Sequence, residues 1–363
     1  MIRKLRRIVL TVIVLWRMVG FAQPIHDSDI IGNRQISYAS VTSQNDLYQG
    51  SLQSDKYFTN GLHLEFADQI LNNKISRFVL INGLKNSNSH FAVSLGQDMY
   101  TPLNIYLVSV DSTDIPYSGA VYFTFTRQSN DHKNGRKLIT KLFFGVQGPI
   151  AGAGDLQLWY HQQIGSPIPN GWDNQISNGL IFDYEVKYER LIPISTEYLE
   201  MTTNAIAHIG SYQNFIQAGV GMKVGLFNFS FTSMNGMLNS NAKKGMYTMQ
   251  DMRWFKNKRK SINTTPKTRR TFVGRDWQVY GLVELNVGSM FYNGAVQGSL
   301  IPFKESPYLY QRSDFGYANG NLTYGITVAY KQFFVQYKNL IHTDVYKGTG
   351  FYGWGQIQMA VSF

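Results

Sequence analysis

The residues with the clearest capacity for chemistry lie around one histidine. His161 follows Gln157 by four positions, inside 155–164, a run without Gly or Pro. Such a run can form a short helix, and residues four apart on a helix share a face. Small residues (151–154) precede it, and a segment rich in Pro, Gly and Trp follows as far as Gln175. An imidazole can take a proton near neutral pH. A helical turn carrying one, set between strand-like segments, is where chemistry is expected, because functional groups concentrate on loops held by a rigid scaffold. The competing reading of His161 is a buried structural histidine.

Other chemistries are missing. The chain has no G-x-S-x-G elbow, Walker A loop or H-E-x-x-H motif. None of its seven histidines pairs with another at metal-ligand spacing, so no zinc site is expected. With no cysteine there is neither a disulfide framework nor thiolate chemistry.

The net charge of +11 is uneven. Five Lys/Arg belong to the first 17 residues, and 243–275 holds eleven more against one acid, Asp251. The basicity therefore belongs to a leader and one loop, and no nucleic-acid partner is expected. Arg3, Lys4, Arg6 and Arg7 precede the apolar run 8–16, and small residues follow before Gln23. That is the pattern of a Sec-type signal peptide, 1–22, too short in its apolar part to span a membrane as a helix.

What must position the histidine is a set of strands. Runs of about ten residues alternate apolar and polar positions. Phe182, Tyr184, Val186 and Tyr188 alternate with Asp183, Glu185 and Lys187; Ile357, Met359, Val361 and Phe363 alternate with Gln356, Gln358, Ala360 and Ser362. In Tyr57–Phe66 the alternation puts Phe58, Leu62, Leu64 and Phe66 on the apolar face, and Thr59, Gly61, His63 and Glu65 on the polar one. A secreted sandwich would show such alternation. Tyr- and Phe-rich apolar faces, charges repeating on the opposite faces and a terminal Phe363 favour an outer-membrane barrel instead.

The expectation is all-β: a transmembrane antiparallel β-barrel of about twelve strands, with a short helix near 155–164 in an extracellular loop. The strands are placed near 34–45, 57–67, 90–100, 118–127, 137–146, 180–190, 197–208, 214–225, 277–290, 320–330, 332–341 and 351–363. Residues 23–363 then form a single barrel domain, with 234–276 a basic loop insertion on the periplasmic side. Residues 46, 59 and 161 all fall at the outward rim. Trp159 and Trp172 read as membrane-interface anchors.

Several short patterns, in order, carry a resemblance. They are Asn45-Asp46, Phe58-Thr59-Asn60-Gly61, Thr101-Pro102, Pro116-Tyr117-Ser118-Gly119, Gly145 to Pro149, Gln157 to His161 and Trp172 to Gln175. Together they resemble the lipid A 3′-O-deacylase family of outer-membrane proteins. The resemblance implies a twelve-stranded barrel in the outer membrane of a Gram-negative bacterium. It also implies calcium-dependent hydrolysis of an ester-linked acyl chain on lipid A of lipopolysaccharide. By the same token His161 is the base that activates water, and Asn45 and Asp46 are oxygen ligands for Ca²⁺. Thr59 and Gln157 would orient water, ligand or substrate. Each has an ordinary reading beside it: a turn dipeptide for Asn45-Asp46, a strand residue on the lumen face for Thr59, a packing residue for Gln157. The sequence departs from the family in 103–117, which has no Lys or Arg, and at Ile115 and Gln44, where Arg and Glu are frequent. Lys56 and Arg127 are the candidates to replace the missing base. The alternatives are an inactive structural or channel barrel on the same scaffold, and an outer-membrane phospholipase.

Overall fold

The computed structural model describes residues 37–49, 57–85, 87–131, 134–196, 198–228, 230–231, 247–248, 271–272, 276–311, 318–343 and 351–363. The expected signal peptide, Lys56 and most of the basic insertion lie outside these residues. Twelve strands close into one barrel. They are β1 (Tyr38–Asn45), β2 (Tyr57–Ala67), β3 (Asn88–Thr101), β4 (Ser118–Asp131), β5 (Arg136–Gln147), β6 (Gly179–Leu191), β7 (Leu199–Gly210), β8 (Gln213–Leu226), β9 (Trp277–Asn293), β10 (Asn319–Tyr330), β11 (Phe333–His342) and β12 (Tyr352–Ser362). Each strand pairs antiparallel with its neighbours in sequence, and β1 closes on β12 from Tyr38↔Ser362 to Asn45↔Gly355. Closure leaves no strand edge unpaired, which a spanning sheet requires. The expected strand number, order and approximate bounds are borne out.

Alternation sorts the two faces. Leu62, Leu64, Phe123, Phe125, Val283, Leu285, Ile326 and Val328 are exposed on the outside, as lipid-facing positions require. The inside is ionic. Lys187 Nζ lies 3.0 Å from Glu189 and 2.9 Å from Glu284, and Lys137 lies 2.7 Å from Glu189. Lys141 pairs with Glu185 at 2.9 Å, and His208 sits 2.9 Å from Asp183. A cavity of about 440 Å³ remains among these groups. The internal charge network expected from the repeating acids and lysines is present.

The two ends differ in their connections. At one end, Lys331 and Gln332 alone join β10 to β11, and 132–135 join β4 to β5. Three of the five connections at this end, 132–135, 192–198 and 331–332, have seven residues or fewer; at the other end 211–212 is as short, beside 102–117, 148–178 and 294–318. Short turns face the periplasm and long loops face outward in such barrels. The outward mouth is closed by a cluster of Tyr57, Phe58, Ile115, Val296, Tyr310, Tyr352 and Trp354. Phe58 stacks on Trp354 with ring centroids 4.3 Å apart. A helix not foreseen in the sequence, α1 (Lys74–Val79), lies in the periplasmic connection between β2 and β3.

Because Lys187 joins two acids, its replacement leaves charge uncompensated inside the wall. Lys187→Met is expected to destabilise the barrel by about 3 kcal/mol. The midpoint of its heat-dependent shift in electrophoretic mobility should fall accordingly, and an unchanged midpoint would show the network to be energetically idle.

Candidate active site

The site begins with one extra residue in β2. Opposite β3, Phe58 pairs with Tyr100 and Asn60 with Met99, so Thr59 is bulged out of register. Two neighbouring residues of a bulge oppose one on the partner, and the alternation changes phase there. Phe58 turns inward to the mouth cluster, its ring 5.2 Å from that of Tyr100. Thr59 turns outward, and its hydroxyl meets that of Thr101 at 2.5 Å. This corrects the expectation from strict alternation, which put Phe58 toward lipid and Thr59 on the lumen face with His63 and Glu65. Tyr57, just before the bulge, has a φ of 70° and is braced edge-on by Tyr352 at 5.6 Å.

β1 delivers Asn45 to the same outer face. Gln44 points inward, where its amide donates to Gln356 at 3.1 Å. Asn45 therefore points outward, and the chain turns into a 3₁₀ segment, Asp46–Gln49. The backbone N–H of Leu47 donates to Asn45 Oδ1 and Asp46 Oδ1, both at 2.9 Å. One N–H thus gathers an amide oxygen and a carboxylate oxygen. Both residues are buried at the rim.

The helix is α2 (Ala153–Ile164), closed by Gly165 in the left-handed conformation at φ 72°. It is docked against the outer wall. Asp98 faces the lumen, bonded to His63 at 2.9 Å and to the Tyr122 hydroxyl at 2.6 Å. Its neighbour Gln97 consequently faces out, and its amide donates to the Ala151 carbonyl at 2.6 Å. Gly119 also faces out; a Cβ there would fall 2.4 Å from that of Ala153. Only glycine lets the helix approach β4 so closely.

Gln157 and His161 both bind the segment that returns after the helix. Gln157 is buried, and its Oε1 accepts from the Trp172 indole at 2.7 Å. Trp172 in turn packs on Tyr117, with centroids 4.8 Å apart. Trp172 is thus a positioning residue rather than the interface anchor expected; Trp159, well exposed on α2, remains available to the interface. Burial pushes the Tyr117 phenol up to about 12, opposed by a backbone hydrogen bond from Gly171 and reinforced by Asp114. Tyr117 stays neutral and donates to the Ile105 carbonyl at 3.1 Å. His161 Nδ1 lies 2.5 Å from the Pro167 carbonyl oxygen. A carbonyl only accepts, so Nδ1 carries the proton, and in the neutral ring Nε2 bears the lone pair.

The expected residues form two groups at one rim: Asn45, Asp46 and Thr59 on β1 and β2, and Gln157 and His161 on α2. Because β1 to β4 are consecutive neighbours, both groups occupy one sector of the outer wall. Thr101 and Trp172 are additions; both stand in the ordered motifs, without any signal of their contacts. The missing basic residue has no replacement in Arg127, whose guanidinium binds the Leu80 carbonyl at the periplasmic end, 2.8 Å away. Loop 102–117 presents acids instead. Thr113, through side chain and backbone, holds the exposed Asp111 carboxyl below its usual range.

The donor set can be judged for calcium on its own chemistry. Asn45 and Asp46 present hard oxygens, which suit Ca²⁺. No cluster of three His, Cys, Asp or Glu able to hold a metal occurs among the described residues. The fit is therefore to a hard cation held by one carboxylate plus neutral oxygens.

The family model for outer membrane protein LpxR matches residues 8–363. The chain belongs to the LpxR family. The resemblance drawn from the ordered motifs is borne out. Among solved structures, LpxR from Salmonella typhimurium aligns with a TM-score of 0.65 at 16% identity, over 90% of this chain and 100% of that one. The β domain of the Bordetella autotransporter BrkA aligns with a TM-score of 0.41 at 9% identity, over 90% of this chain and 98% of that one. A search of curated protein sequences returns no match. Membership of this family of outer membrane proteins agrees with the exposed apolar wall of the LpxR-family barrel described above.

Gly119→Val is expected to lift α2 from the wall. Amide hydrogen exchange over 153–164 should accelerate while the β3 and β4 amides stay protected. Unchanged exchange in the helix would show that its docking does not depend on this contact.

Proposed function

We propose that this LpxR-family chain is a lipid A deacylase that hydrolyses the 3′-O ester-linked acyl chain of lipid A in the outer leaflet. The observation that carries the reading is the hydrogen bond from His161 Nδ1 to the Pro167 carbonyl. It leaves Nε2 as the proton acceptor, on a helix docked to the lipid-facing wall. An acyl ester in the leaflet would reach such a group sideways, without entering the lumen. The exposed Leu156, Leu158, Trp159, Tyr160 and Ile164 on α2 suit contact with acyl chains.

His161 Nε2 takes a proton from water, and the hydroxide adds to the ester carbonyl carbon. The tetrahedral adduct collapses as the C–O bond to the sugar breaks. The imidazolium returns its proton to the departing alkoxide, giving a free fatty acid and a sugar hydroxyl. No acyl-enzyme forms, and imidazole is regenerated. Gln157, clamped by Trp172, holds the helix that carries the base. Thr59, anchored on Thr101, presents its hydroxyl on the same face of the wall as Asn45. Asn45 and Asp46 would hold Ca²⁺, which supplies positive charge for the developing oxyanion.

The acidic loop 102–117 is the observation that favours a second reading, an inactive barrel that keeps the scaffold. The closed mouth and paired lumen charges weigh against its channel form. One experiment separates the readings. Mass spectra of lipid A from cells expressing the chain should show loss of one acyl group. His161→Ala should lower the rate about a hundredfold or more, with heat-modifiable mobility intact. Chelation should abolish acyl loss and added Ca²⁺ restore it. Unchanged lipid A with a folded wild-type barrel and calcium present would overturn the catalytic reading. Release of fatty acid from glycerophospholipid instead would mark a phospholipase.

A further inference from the structure

The connection between β2 and β3 does not hang below the barrel. It climbs the outside of the wall. Arg127, Ser129, Thr140 and Tyr184 have the outward parity of their strands, because Gln128, Lys141 and Glu185 line or face the lumen. The Arg127 guanidinium donates to the carbonyl of Leu80 at 2.8 Å and approaches that of Arg77 at 3.5 Å. Thr140 donates to the Ile81 carbonyl at 3.3 Å. The Tyr184 hydroxyl accepts from the Ile81 N–H at 2.9 Å and donates to the Val79 carbonyl at 3.2 Å. Phe91 lies under the Arg127 guanidinium, 5.4 Å from its carbon.

Arg127 pairs with Thr140 four residues above the Asp131↔Arg136 end of the β4–β5 ladder. At about 3.3 Å per residue and a tilt of about 40°, that places the strip roughly 10 Å up the wall. Backbone outside a helix or sheet persists at membrane depth only if protein satisfies its polar groups. Side chains projecting from the barrel do so here, group by group.

The face turned away from the wall is apolar and basic. Ile70, Ile75 and Phe78 are 77%, 75% and 89% exposed, and Ile81 is exposed as well. Lys74, Arg77 and Lys85 are exposed among them. No Asp or Glu occurs from 69 to 97. Apolar side chains flanked by cations match a boundary between acyl chains and phosphates. The end of the barrel with short turns faces the periplasm, so that boundary is the inner leaflet of the outer membrane.

We propose that residues 68–85 form a clasp for inner-leaflet glycerophospholipids: Ile70, Ile75, Phe78 and Ile81 enter the acyl layer, and Lys74, Arg77 and Lys85 bind anionic headgroup phosphates. The inference rests on the outer-membrane barrel alone and is independent of the hydrolytic reading.

The chain has no cysteine, so a single one can be labelled cleanly. Nitroxide labels at Phe78→Cys, Leu285→Cys and Ser112→Cys are compared in full-length protein reconstituted in phospholipid vesicles. Leu285 is the reference for the lipid-facing wall and Ser112 the reference for water. The Phe78 label should collide with oxygen and exclude a water-soluble nickel chelate, as the Leu285 label does. Native mass spectrometry then measures retained phosphatidylglycerol against phosphatidylethanolamine. The double variant Lys74→Gln/Lys85→Gln should lose phosphatidylglycerol preference roughly tenfold. A Phe78 label as open to nickel as Ser112, while Leu285 stays shielded, would overturn the proposal. So would a phosphatidylglycerol preference that survives the double variant.

Discussion

A strand in a closed membrane barrel offers each side chain one of two solvents, and the choice alternates without exception while the register holds. On β2 the candidate site depends on breaking that register. Thr59 is the extra residue, and its bulge reverses the faces of Phe58 and Thr59. Phe58 goes in to seal the mouth against Trp354; Thr59 goes out to meet Thr101. Without the bulge a hydroxyl would face the lumen, and a phenyl ring would occupy the outer wall beside Asn45. The positive φ of Tyr57 is the conformational cost of entering the strand in this way.

The wall is used on its outside at both ends. Near the outward rim, Gln97 and the absence of a Cβ at Gly119 let α2 dock where an apolar surface would otherwise meet lipid. Near the periplasmic rim, Arg127, Thr140 and Tyr184 hold the 77–81 backbone against the same wall. Polar side chains on a lipid-facing surface are costly unless paired. In both places the partner is main chain from a connecting loop. The lumen, by contrast, is committed to ion pairs such as Lys187 with Glu189 and Glu284, which brace the cylinder from within.

Dependence between the parts runs in one direction. The lumen charges and the aromatic plug make the barrel stiff and closed, and a stiff wall allows single hydrogen bonds to place loops. On that wall Trp172 clamps Gln157, and the Pro167 carbonyl selects the imidazole tautomer of His161. Each of these contacts is a single hydrogen bond, with a net contribution of only about 1 kcal/mol. Their effect comes from the rigidity of what they are attached to.

The primary structure by itself determined the architecture. Period-two alternation, the aromatic outer faces and the spacing of turns specify twelve antiparallel strands and their approximate bounds, because each strand reports its own two-sided environment locally. It also determined which residues to watch, since Asn45, Asp46, Thr59, Gln157 and His161 stand in motifs that keep their order along the chain. What it left undecided is every feature that depends on a partner distant in sequence. The bulge is invisible because Phe58-Thr59 fits plain alternation perfectly well; only register with Tyr100 and Met99 reveals it. Trp172 reads as an interface anchor until the fold brings Gln157 to its indole. Arg127 reads as a replacement base until the strand direction puts it at the far rim. That the outer wall, and not the mouth of the lumen, carries these residues was decided by tertiary structure alone, because parity along a strand says that faces differ but not which loop will cover them.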